Sequence, residues 1–187
     1  MKLYIKNMVC PRCLTSVEQI LKKCNLQFKY IRLGEVSLEN NLSTGQLENL
    51  SQELQKTGFE LLDDKKTQLI EQVKNLLIQK VQNGELEEHF SLTKFISDKI
   101  FKDYSSISKL FSQLEGITLE QFFNFQKIEK VKELLIYDEQ SLTQIAFSLG
   151  YSSTQHLSSQ FKKLTGMTPS QFKKLGTIHR KSIDDIK

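Results

Sequence analysis

Apolar and polar positions change their rhythm once along this chain, near residue 65. Before that point short alternating runs are interleaved with helical spacing. Lys2 to Met8 reads as a strand, with Leu3 and Ile5 on one face and Tyr4 on the other. Pro11 opens a helix, where its missing N–H costs nothing. Leu14, Val17, Leu21 and Cys24 recur along that helix, and Ile20 widens the stripe. Phe28 to Leu33 and Glu35 to Leu38 are strand-like, and Gly34 between them predicts a tight hairpin. Ser43 is placed to cap a helix reaching Lys56 with Leu47, Leu50 and Leu54 inward, and Gly58 suits its stop. Phe59 to Leu62 is the last strand. The resulting order is βαββαβ, the pattern of a ferredoxin-like α+β domain over residues 1–64.

Past Asp63 to Lys66 the strand signals vanish. Leu69, Val73, Leu76, Leu77 and Val81 mark an amphipathic helix that stops near Gly84. Further helices are predicted from Ser91, over Ser105 to Leu114, over Thr118 to Tyr137, from Leu142 to Leu149 behind a Ser141 cap, from Ser153 to Leu164 and from Pro169 to Leu175. That is an all-α domain over 67–177 in which two helix–turn–helix pairs flank one long helix. A tail, 178–187, follows.

Composition narrows the class without deciding it. The chain has 187 residues, 39% hydrophobic and 26% charged, which excludes wholesale disorder. No apolar run approaches the ~18–20 residues of a membrane span, and the first residues lack the apolar core of a signal peptide, so a cytoplasmic protein is expected. Net charge is +4. Its distribution says more: Gly150 to Lys181 carries Lys162, Lys163, Lys173, Lys174, Arg180 and Lys181 and no carboxylate. Such a stretch suits a polyanion, because each neutralised phosphate releases counterions. A solvated basic face explains the charge alone equally well.

The segment SLTQIAFSLGYSSTQHLSSQFKKLTGMTPSQF at 141–172 adds the geometry. Ala146 is small where two helices would cross, Gly150 suits a left-handed turn, and Ile145, Leu149, Leu157 and Phe161 would pack the pair. Any helical hairpin needs as much. The short polar groups that open the next helix, Ser153, Thr154, Gln155 and His156, are what a DNA reader presents to base edges and phosphates.

This segment resembles the C-terminal signature of AraC-type transcription regulators, and KIEKVKELL at 127–135 resembles their linker helix. The resemblance implies two recognition helices set in successive major-groove segments of double-stranded DNA. Carried over by position, the second reading surface is Ser153, Thr154, Gln155, His156, Ser158 and Ser159, with Lys162 and Lys163 on the backbone. Ser159 stands where many members have Arg, which removes a bidentate guanine reader and leaves Gln155, whose natural partner is adenine. His156 either reads a base or packs at the helix seam. In the first helix–turn–helix Ser105, Ser106 and Lys109 would face DNA. There Ile96 replaces a small residue, and the turn over Phe101 to Tyr104 is expected to be one residue longer. RNA polymerase and a second copy of the chain are further partners such a regulator can engage.

Met8-Val9-Cys10-Pro11-Arg12-Cys13 puts two thiols on the loop into the first helix. The helix end and Arg12 are expected to lower both thiol pKa values. Two sulfurs suit Cu(I) or another soft metal ion better than Zn(II), which usually takes four ligands. The histidines, His89, His156 and His179, all lie outside this region. The βαββαβ order with M-x-C-x-x-C, and Thr57-Gly58-Phe59-Glu60 beyond, resembles heavy-metal-associated domains of the copper-chaperone type. That implies Cys10 and Cys13 as metal ligands and Met8 as a buried support. Asn7 and Val9 depart from the family's usual Gly and Thr. A reversible dithiol switch and a purely structural pair are the other readings. Cys24 falls on the apolar face and reads as core.

Two functions therefore stand. One is a DNA-binding transcription regulator with a metal- or thiol-sensing front module. The other is a Cu(I)-type metal carrier with a helical adaptor. No nucleophile–base pair, phosphate-cradling glycine loop or paired carboxylates support an enzyme.

Overall fold

The computed structural model describes residues 1–84, 86–87 and 90–175. His89, His179, Arg180, Lys181 and the tail lie outside these. The chain divides into two compact units, Met1–Asn75 and Leu76 onward.

The first unit follows the order β1 (Lys2–Lys6), α1 (Pro11–Lys23), β2 (Phe28–Arg32), β3 (Glu35–Leu38), α2 (Thr44–Gln55), β4 (Glu60–Leu61). The strands form one sheet of order β2-β3-β1-β4, every neighbouring pair antiparallel. Each helix thus connects two strands separated by a third. Alternation does what the sequence predicts: Leu3 and Ile5 of β1 and Val36 and Leu38 of β3 enter one core with Val17, Ile20 and Leu21 of α1 and Leu50 and Leu54 of α2. Ser43 caps α2 with a full capping box to Gln46. Gly34 takes φ +78° in the β2–β3 turn. Cys24 is half-buried against the core, as its place on the apolar face implies.

The next helix, α3 (Lys65–Gln82), begins in the first unit and ends in the second, so the division between the units falls inside it. The second unit continues with α4 (Leu92–Ile100), α5 (Tyr104–Glu115), α6 (Leu119–Tyr137), α7 (Leu142–Ser148), α8 (Thr154–Thr165) and α9 (Pro169–Lys174). Its spine is α6, which contacts α5, α7, α8 and α9. Phe122, Ile128 and Val131 are buried there, and so are Gln126, Lys127, Glu129 and Lys132. A helix buried nearly all round is a central element, not a surface one. No helix among the described residues is long and apolar enough to cross a membrane.

The two helix–turn–helix pairs repeat each other at a spacing of fifty residues. Their N-caps pair as Ser91 with Ser141, Asp103 with Ser153, and Thr118 with Thr168. Buried Ile107 and Phe111 of α5 match Leu157 and Phe161 of α8, and both helices stop at a left-handed glycine, Gly116 and Gly166. Equal spacing on both sides of the turn overturns the expectation of an extra residue near Phe101. What differs is where the chain turns left-handed: at Phe101 (φ +56°) in the first pair and at Gly150 (φ +66°) in the second. Ile96 is fully buried like Ala146, so the larger side chain is accommodated at the first crossing.

Candidate nucleic-acid interface

Helical periodicity decides which side of α8 meets solvent. Leu157 and Phe161 turn inward, so Gln155, His156, Ser159, Lys162 and Lys163 are exposed along the opposite side, while Ser153, Thr154 and Ser158 are half-buried beside them. Ser153 Oγ accepts the His156 backbone N–H at 3.1 Å and fixes the first turn. Thr154 Oγ1 donates to Gln155 Oε1 at 3.1 Å, which leaves the Gln155 amide group available as a donor. The His156 ring lies edge-on to Tyr151 with centroids 5.3 Å apart, and its Nδ1 is 3.2 Å from Ser152 Oγ. The ring is thus both held at the helix seam and exposed, and the two roles weighed for it are compatible.

On α5 the same geometry exposes Ser105, Ser106 and Lys109. The fifty-residue register also adds Gln113, exposed at the position of Lys163. The capping residue is Asp103, exposed on this side of the helix. It accepts the Ser106 N–H at 3.0 Å and both the Ser105 and Ser106 hydroxyls. Hydrogen bonds from Ser105 and Ser106 hold its carboxyl below the usual range, so it is ionised at neutral pH. Gln113 was not among the residues singled out from the sequence, and Asp103 entered there only as one charge of the net-neutral stretch 102–117. Aligning the chain with itself fifty residues apart would have found both.

Behind α8 the turn is braced. Leu86 N–H donates to Ser148 O at 2.9 Å, and Leu86 bridges Leu149 in a parallel β-bridge. A Cβ on Gly150 would stand 3.0 Å from Glu87 O and 3.2 Å from Leu86 Cβ. Only glycine allows both the left-handed turn and this approach.

The Cys10 and Cys13 side chains of the first unit lie together, Sγ to Sγ 3.3 Å, both half-buried, with fully buried Met8 beside them in sequence. Cys10 is the N-cap of α1 and makes no side-chain cap bond. Asn7 takes φ +70°, the conformation that a glycine would adopt without strain. The expectation of a lowered thiol pKa does not hold at Cys13. Burial pushes the Cys13 thiol up, outweighing the backbone N–H contacts that favour a thiolate. The neutral thiol is further held by Asn7 O, 3.8 Å from Sγ. As a donor set the pair fits a two-coordinate soft ion. Among the described residues no group of three or more His, Cys, Asp or Glu could hold a metal.

Comparison with known proteins places the second unit. Residues 96–175 match the family described as a helix-turn-helix domain. A probable transcriptional regulator, LumQ of Photobacterium leiognathi, is 28% identical over 134 residues, covering 72% of this chain and 52% of LumQ. The transcriptional activator RhaS of Escherichia fergusonii is 28% identical over 91 residues, covering 47% of this chain and 33% of RhaS. The chain therefore spans about half of one relative and a third of the other. Among solved structures, the C-terminal domain of AraT, a response regulator from Geobacillus stearothermophilus, superposes with a TM-score of 0.52 at 20% identity, covering 64% of this chain and 94% of that one. That likeness is one of fold.

Proposed function

We propose that this chain is an AraC-type, sequence-specific transcription regulator that grips double-stranded DNA with α8 and α5, a reading supported by the match of residues 96–175 to a helix-turn-helix domain and by the likeness to LumQ. One observation carries the reading: Gln155, His156, Ser159, Lys162 and Lys163 form one exposed side of α8, in a segment from Gly150 to Lys181 that holds no carboxylate. Lysines on such a side neutralise phosphates, while Gln155 and its neighbours meet base edges. The first unit is read as a ferredoxin-like module, on the support of its β2-β3-β1-β4 order. Its Cys10–Cys13 pair would hold a soft ion such as Cu(I), or close reversibly to a disulfide, and so report metal or redox state to the DNA-binding unit. A bound ion would supply thiolate bonding there, and Cys13 must lose its proton to take part. The metal-carrier alternative rests on this pair alone and leaves the exposed sides of α5 and α8 without a role.

The test is selection from a pool of random duplexes by the purified chain, followed by gel shift. The reading predicts enrichment of a defined sequence and its loss when Gln155 and Lys162 are replaced. Uniform binding to every duplex, or none, would overturn it.

A further inference from the structure

The two recognition helices are built on one plan, yet they differ in charge at several matched positions, among them the N-cap, where Asp103 stands against Ser153. Fifty residues apart, Asp103 and Ser153 do the same structural job, each accepting the backbone N–H three residues on, at 3.0 and 3.1 Å. Either residue type caps a helix equally well. The difference lies in what Asp103 adds. It sets a full negative charge beside the exposed positions Ser105, Ser106 and Lys109. It also draws in the hydroxyls of Ser105 and Ser106, at 2.5 and 3.2 Å. A serine hydroxyl has one proton to donate, so neither is then free to donate to a phosphate or a base acceptor. No carboxylate occurs anywhere from Gly150 to Lys181, so α8 carries no such restraint.

We propose that Asp103 is a negative determinant on the DNA-facing side of α5, which weakens that helix's hold on phosphate and leaves α8 as the dominant grip on the duplex. The proposal rests on the reading of the chain as a DNA-binding protein and refines it. A carboxylate at the duplex opposes counterion release and repels the phosphate nearest to it. Specific recognition would begin with α8, and α5 would add contact only where the local backbone leaves Asp103 in water.

The test exchanges the caps in the full chain. Asp103→Ser puts on α5 what stands on α8, Ser153→Asp does the reverse, and Asp103→Asn keeps the cap without the charge. Circular dichroism verifies that helicity is retained. Affinity for a duplex enriched by the wild-type chain is measured across salt concentrations. Asp103→Ser and Asp103→Asn should both bind roughly 3- to 10-fold more tightly near 0.1 M salt, with the slope of log affinity on log salt steeper by up to about 0.9. Ser153→Asp should weaken binding by at least as much. Wild-type affinity and slope in both Asp103 variants would overturn the proposal and leave the DNA-binding reading standing. A wild-type chain that binds no duplex would overturn that reading, and the proposal with it.

Discussion

The Nζ of Lys127, on α6, sits 3.7 Å from the centroid of the Tyr151 ring, in the turn that precedes α8. Burial lowers the Lys127 pKa to about 8 from 10.5, while the ring face works in the other direction by favouring the cation. The Tyr151 hydroxyl is itself buried, with no hydrogen-bond partner among the described residues. The spine of the second unit thus holds a cation where an apolar group would cost less.

That arrangement sets a pH dependence with a definite sign. In the unfolded chain Lys127 keeps its proton up to about pH 10.5, and in the folded chain up to about 8. The cost of burying the charge is therefore felt in full below pH 8 and fades as pH climbs to 10.5. Lys127→Met should raise stability by about 1–3 kcal/mol at pH 7. Urea midpoints of variant and wild type should draw together as pH rises from 8 and converge only above about 10.5. A variant less stable than wild type at pH 7 would mean that the Tyr151 contact outweighs desolvation.

Gly150 gives a second stability prediction, with an internal control. Gly150→Ala must strain the left-handed turn and drive a methyl group against Glu87 O and Leu86 Cβ. Gly166, also left-handed at φ +81°, has no atom of the described residues within 4 Å of where a Cβ would stand. Gly166→Ala should cost about 1 kcal/mol from the backbone alone, and Gly150→Ala about 1–2 kcal/mol more from the displaced Leu86 segment. Equal losses in urea denaturation would show that the Leu86–Leu149 bridge contributes nothing.

Most of the fold was legible because its signals are local. Alternation in β1 and β3, the Ser43 and Ser141 caps and the glycine stops are all read within a few residues, and the structure repeats them. What escaped depends on distance. The Leu86–Leu149 bridge joins segments more than sixty residues apart. The burial of Lys127 follows from helices converging on α6 from both sides. The reading surface of α8 was carried over by position from a family resemblance, and of its residues Ser153, Thr154 and Ser158 are half-buried. Asp103 was counted only as a surface charge, because a capping residue and a surface charge look alike in sequence. The Cys13 pKa was misjudged because the helix end was weighed and the burial was not.

The lysines of α8 should act without regard to sequence. Replacing Lys162 and Lys163 together by alanine should weaken binding to every duplex and reduce the salt slope by up to about 1.8, close to 0.9 for each phosphate no longer neutralised. An unchanged slope in a salt titration would place those side chains away from the backbone.

The thiol pair predicts a conditional effect. With Cys10 and Cys13 reduced, added Cu(I) should change the affinity of the chain for its selected duplex, and Cys10→Ser with Cys13→Ser should abolish that change while leaving metal-free binding as it was. Linkage requires DNA to alter Cu(I) affinity by the same factor. Affinity indifferent to Cu(I), oxidant and reductant alike would remove the sensing role and leave DNA binding untouched.

The claim on which all of this depends is that α8 reads base edges. Gln155→Ala in the full chain, assayed on the selected duplex and on single-base variants of it, tests that claim most directly. The account predicts one base pair, an adenine on one strand, at which wild-type discrimination of about 1–3 kcal/mol is lost in the variant, while discrimination elsewhere is kept. A variant that discriminates at every position as the wild type does would contradict it.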